Sequence, residues 1–167
     1  MKIAVLMGSD SDWFCVKECC EILKKFDINF AAHVLSAHRS PIDLVNYVHR
    51  CEEMGCGVFI CAAGKAAHLA GVVAAHTTQP VIGIPLSGSL GGFDSLLSTV
   101  QMPQGVPVAT VAVDGGANAA ILAIQMLSLT NNDLRAKLKD YRNSLLQAVR
   151  AKDQQLNEQM KILFDPT

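Results

Sequence analysis

The chain has 167 residues, half of them hydrophobic and 17% charged, which suits one domain with a full core and argues against disorder away from the ends. Its formal net charge of -1 removes any electrostatic ground for expecting nucleic acid or an anionic membrane as partner. The opening stretch "MKIAVLMGSDSD" has an apolar run too short for a secretory leader or a membrane span, so a cytoplasmic location is expected. Cys15, Cys19, Cys20, Cys51, Cys56 and Cys61 form no C-x-x-C pair and fit no zinc spacing, and are expected to be buried and reduced.

The predicted elements then alternate along the chain. "KIAVLM" (2–7) is a strand ending at Gly8, and residues from about Asp12 to Phe26 repeat apolar side chains at helical spacing. "NFAAHVL" (29–35) is a second strand. Ser40-Pro41-x-Asp43 opens a second helix, with Ser40 as N-cap and Pro41 at the first helical position, and Gly55 stops it. "GVFICAA" (57–63) is a buried strand, and "GKAAHLAGVVAAHT" (64–77) reads as a helix of small residues. "PVIGIPL" (80–86) is a fourth strand, followed by a Gly/Ser-rich loop (87–105) with a short helix from Phe93 to Val100. "VPVATVAV" (106–113) is a fifth strand, "GGANAAILAIQMLSL" a helix, and Asn131 to Met160 a long polar helix carrying Leu134, Leu138, Leu145, Val149 and Leu156 along one side.

Continuous apolar strands alternating with helices predict an α/β fold, a five-strand parallel sheet covered on both faces. In such sheets ligands sit at the carboxyl ends of the strands. "GSDSD" (8–12), "SAHRS" (36–40), "AAGKAAH" (62–68) and "LSGSLGG" (86–92) each follow a strand, so they converge on one rim.

Each cluster has a plain and a functional reading. Ser9 and Ser11 lie where free amides and the helix dipole favour a phosphate, yet Ser and Asp are also the commonest N-caps. Asp10 and Asp12 repel a dense phosphate cradle, so a single phosphate plus a sugar diol fits better than a triphosphate. Arg39 offers a bidentate grip on a phosphate or is a surface cation. His38 belongs to the residue type that exchanges protons near neutral pH, or it merely closes its loop. His68 alone reads as a satisfied buried histidine, and Lys65 either meets a carboxylate or phosphate or points to solvent. No His/Cys/Asp/Glu set has metal-ligand spacing, and there is neither a P-loop nor a G-x-S-x-G elbow.

Taken together, "MGSDSDW", "SAHRSP", "AAGKAAHLAGV" and "DSLLSTVQMPQGVPVATVAV…GANAAILAIQML" resemble the class I PurE family, the N5-carboxyaminoimidazole ribonucleotide mutases of purine biosynthesis, over about residues 2–130. The resemblance implies a three-layer flavodoxin-like sandwich, a homo-octamer, a small ribonucleotide substrate, and no ATP, metal or organic cofactor. It implies an isomerase that moves a carboxylate from an exocyclic nitrogen to ring carbon C4. By likeness, Ser9, Ser11 and Arg39 face the phosphate, Asp12 the ribose hydroxyls, and His38 is the general acid/base. Ser36 and Ala37 share its motif and its pocket. His68, as a second catalytic group, and Gly64, Lys65, Ala67 and Leu69 line the place for CO2 and the base, with Ser87 and Leu90 closing the other side. Ala62, Ala63, Ala66, Ala67 and Leu69 are expected to enclose CO2 so that it recombines before escaping. Two departures stand out: Lys65 replaces a common Gly and Ala70 a common Pro. Residues 1–130 are expected to form the catalytic core and residues 131–167 a helical tail of the same domain, serving as an oligomer contact. The rivals are a non-catalytic module binding a nucleotide or flavin, and a direct aminoimidazole ribonucleotide carboxylase.

Overall fold

The computed structural model describes residues 2–164; Met1 and residues 165–167, which the expected core and tail include, lie outside the described residues. The chain divides after Leu127 into a core unit and a helical unit beginning at Ser128. The core holds β1 (Ile3–Met7), α1 (Trp13–Lys25), β2 (Phe30–Val34), α2 (Pro41–Glu53), β3 (Val58–Gly64), α3 (Leu69–Ala75), β4 (Val81–Leu86), α4 (Phe93–Val100), β5 (Ala109–Thr110) and most of α5 (Gly116–Ser128). All strand pairs are parallel, in the order β2-β1-β3-β4-β5, which is the flavodoxin-like order.

The continuous apolar runs have the cause the sequence suggests. β1 and β4 are buried at every position, because a parallel sheet must be covered on both faces. On one face Ala4, Leu6, Phe59 and Cys61 pack with Leu44, Tyr47, Val48 and Cys51 of α2 and with Leu69, Ala70 and Val73 of α3. The alternate residues Ile3, Val5 and Ile60 are fully buried and turn the other way. α1 packs against β1, and Gly116 at the start of α5 lies against Cys15 of α1. All six cysteines are free and buried, and burial pushes the Cys15 thiol up to about 11, so it stays neutral near pH 7.

Gly83 in β4 shows how tightly α3 and α4 close on the sheet. An added methyl there meets Thr99 Cγ2 of α4, with Val108 at 3.1 Å and the Ala70 side chain at 3.4 Å. Overpacking of this kind costs about 1–3 kcal/mol. Gly83→Ala is therefore expected to lower the melting temperature by at least about 2 °C. An unchanged thermal midpoint would contradict the packing described.

Two predicted elements and one helix cap come out differently. The fifth strand is two residues long rather than spanning 106–113. Val111 N–H donates to Gly83 O and Asp114 N–H to Pro85 O, but Pro85 has no N–H to return, so the ladder lapses. The helix expected over 64–77 is confined to Leu69–Ala75. Gly64 ends β3, Lys65 turns into the left-handed region at φ 56°, and residues 65–68 form a tight loop. Ser40 does stand at the N-cap of α2, but its hydroxyl makes no cap; it donates to Ser36 O at 3.2 Å and accepts from Ser36 N–H at 3.0 Å.

The helical unit is α6 (Asn132–Phe164), 33 residues and so about 50 Å long. Asn131 Oδ1 caps it by accepting from Leu134 N–H at 3.1 Å. Arg135 Nη2 donates to the carbonyls of Ser128 (3.2 Å) and Leu129 (3.1 Å). Leu145, Val149 and Leu156, with Met160, Ile162, Leu163 and Phe164, are exposed along it.

Candidate active site

The carboxyl ends of β1, β2, β3 and β4 open on one cleft of about 610 Å³, a size suited to a small ligand. Four loops build it, and each is held by its own backbone contacts.

The loop after β1 is an N-cap in structure. Ser9 N–H donates to Asp12 Oδ2 at 2.9 Å while Ser9 Oγ accepts from Ser11 N–H at 3.4 Å, a capping box on the short 3-10 turn Asp10–Asp12 that leads into α1. Ser11 Oγ lies 3.0 Å from Ser9 Oγ. The plain reading of these residues is thus fulfilled, and Ser9, Ser11 and Asp12 still line the cleft. Partial burial raises the Asp12 carboxyl above the usual aspartate range, outweighing the hydrogen bonds it accepts from Ser9 N–H and Ser11 Oγ. A carboxylate has room for further donors, so both roles are compatible.

The loop after β2 is closed by Ser36 and Ser40 against each other, which carries His38 and Arg39 outward. Arg39 N–H donates to Ser36 Oγ at 3.2 Å, and Arg39 Nη2 donates to Gly8 O at 2.8 Å. That contact ties the first two loops together; Arg39 Nε also donates to Ser36 Oγ at 3.4 Å, which leaves Nη1 and the second hydrogen of Nη2 for an anion.

The loop after β3 brings His68 to His38. His38 Nε2 and His68 Nδ1 are 2.8 Å apart, with ring centroids at 4.9 Å and an edge-on angle of 78°. One ring donates to the other, and which one does so depends on the tautomer each adopts. His68 is exposed in the cleft, unlike the buried histidine its small-residue surroundings suggest. The loop after β4 is fixed by Ser87 N–H donating to Asp114 Oδ1 at 2.9 Å and by Ser95 Oγ donating to Leu86 O at 2.7 Å.

The cleft gathers Ser9, Ser11, Asp12, Ser36, Ala37, His38, Arg39, Gly64, Lys65, His68, Leu69 and Ser87. It does not gather Ala67 or Leu90. Ala67 is 1% exposed and faces the core, and Leu90, at φ 51° in a left-handed turn with Gly91 and Gly92, is 79% exposed. Of the small residues expected to enclose CO2, Ala63, Ala66 and Leu69 line the cleft while Ala62 and Ala67 sit behind its wall. Phe14, 60% exposed at the start of α1, lines the cleft outside every cluster the sequence marks; within the marked clusters, the Gly8 carbonyl anchors Arg39, and Leu86 and Gly88 join the lining. Phe14 was absorbed into a helical stripe, and nothing local in the sequence distinguishes it.

The comparisons with known proteins agree with one another. The chain is 51% identical over 150 residues to the N5-carboxyaminoimidazole ribonucleotide mutase of Saccharolobus solfataricus, covering 87% of this chain and 95% of that protein. It is 50% identical over 145 residues to the mutase of the same name from Pyrococcus abyssi, covering 86% and 83%. Among solved structures, Treponema denticola PurE superposes with a TM-score of 0.85 at 29% identity, covering 92% of this chain and 97% of that one. With residues 2–148 matching the model of the AIR carboxylase family, this chain belongs to that family.

Proposed function

We propose that this protein is an N5-carboxyaminoimidazole ribonucleotide mutase of purine biosynthesis. It converts its substrate to 4-carboxy-5-aminoimidazole ribonucleotide through CO2, with His38 as general acid/base and His68 as its partner. The reading is supported by relatives of that name half identical over most of the chain, and carried by one observation, the imidazole pair beside Arg39 at the sheet's carboxyl edge.

The chemistry balances within the cleft. The N–C bond of the carbamate breaks, CO2 leaves, and the exocyclic nitrogen takes up a proton. C4 then attacks CO2, a C–C bond forms, and C4 gives up its proton. One proton is delivered and one removed, and two hydrogen-bonded imidazoles can supply both without bulk solvent. Arg39 with Ser9 and Ser11 holds the phosphate, and Asp12 meets the ribose hydroxyls. Ala63, Ala66 and Leu69 offer the released CO2 an apolar wall, and the bound ribonucleotide covers it from the open side, so recombination is effectively unimolecular.

The assay is direct. Purified protein given the N-carboxylated ribonucleotide, without ATP, metal or cofactor, is expected to form the C-carboxylated product, followed by absorbance. Product only from aminoimidazole ribonucleotide and bicarbonate would favour the direct carboxylase instead. A homo-octamer in the cytoplasm completes the proposal. The exposed Trp13, Phe14 and Phe93 and the apolar side chains of α6 support self-association; a solution mass near that of a single 17.9 kDa chain would contradict it.

A further inference from the structure

Lys65 occupies a backbone position that suits it badly. Its φ of 56° lies in the left-handed region, where a Cβ is strained and glycine is not. The turn itself is made by main chain, the Lys65 carbonyl accepting from Ala67 N–H at 2.9 Å and from Ser98 Oγ at 3.5 Å. Glycine would make the same turn without strain. The side chain is exposed, so packing does not account for it. Among the described residues no ion pair engages its ammonium either. What the ammonium does have is a place in the cleft with His38, Arg39 and His68.

Charge in the cleft is divided between two ends. Arg39 is latched to Gly8 O, beside the loop that carries Ser9, Ser11 and Asp12. Lys65 sits on the His68 loop and is the other fixed cation among the cleft's lining residues. Strain retained at a site edge, on an unpaired cation, points to a bound anion.

We propose that Lys65 is a specificity-determining residue that meets the migrating carboxylate, so that the cleft prefers carboxylated ribonucleotides to aminoimidazole ribonucleotide itself. This inference rests on the mutase reading for the identity of the substrate. It has a kinetic consequence. The carboxylate charge is lost as CO2 forms, so a cation beside it favours the ground state over the transition state. Removing it raises KM without lowering kcat.

The experiment compares Lys65→Gly, Lys65→Met and Lys65→Arg with the wild type. Calorimetry gives the Kd for 4-carboxy-5-aminoimidazole ribonucleotide and for aminoimidazole ribonucleotide, and steady-state assay gives KM and kcat. The Gly and Met variants are expected to bind the carboxylated ligand about tenfold more weakly and the uncarboxylated one unchanged, a loss typical of one charged hydrogen bond. Their kcat does not fall, Lys65→Arg keeps the preference, and Lys65→Gly melts at or above the wild-type temperature because its turn is relaxed. Equal binding of the two ligands by the wild type, or equal weakening of both in the variants, overturns the inference. A wild type that prefers the carboxylated ligand but fails to rearrange it overturns the mutase reading and leaves the role of Lys65 intact.

Discussion

Replacing His38 by Asn is expected to lower kcat by about 10²–10⁴-fold while the Kd for the ribonucleotide changes by no more than a few fold. Asparagine is close in size and can still exchange a hydrogen bond with His68 Nδ1, which lies 2.8 Å from the imidazole nitrogen of the native pair. It cannot, however, bind and release a proton near neutral pH. The loss is therefore one of chemistry and not of fit, and it appears in kcat and kcat/KM alike. The pair geometry adds a second expectation. If the two rings act as one relay, His68→Asn also slows turnover, and the double variant is little worse than His38→Asn alone, because groups that act as a unit are not additive. Steady-state kinetics with a binding measurement on each variant decides the matter. Turnover surviving within tenfold in His38→Asn would remove that residue from the reaction.

Arg39→Ala is expected to act on the other term, binding. A charged hydrogen bond to phosphate contributes about 1.5–3 kcal/mol, so affinity falls by roughly 10- to 100-fold. The effect is read against a ligand that lacks the group. The ribonucleotide weakens while the dephosphorylated ribonucleoside, already a poor ligand, binds wild type and variant alike. Rising ionic strength narrows the difference, since the free part of the guanidinium is exposed. The same substitution frees the Gly8 carbonyl, which accepts from Arg39 Nη2 at 2.8 Å, but water can replace that donor at the surface. Equal losses for nucleotide and nucleoside would show that Arg39 only braces the two loops.

The order of elements was legible because burial on both faces leaves a continuous apolar run, and such runs as "KIAVLM" and "PVIGIPL" locate β1 and β4 within a residue or so. The convergence of four loops followed from parallel topology alone. What escaped depended on a partner distant in sequence. The length of β5 is set by the missing N–H of Pro85 on the neighbouring strand, not by its own β-branched residues. The start of α3 is set by Lys65 turning into the left-handed region, which a run of alanines conceals. At the site, His38 and Arg39 stood out as polar residues that no strand or helix needs. Their engagement with His68 and with the Gly8 carbonyl spans about thirty positions of chain, so no local pattern announces it.

The most direct test of the central claim, that this cleft moves a carboxylate from nitrogen to carbon of one ribonucleotide, is isotopic. The substrate carries ¹³C in its N-carboxylate, the medium holds unlabelled bicarbonate, and the product is examined by mass spectrometry over the first turnovers. Product that keeps the label is the predicted result. Product carrying carbon drawn from the medium would contradict it.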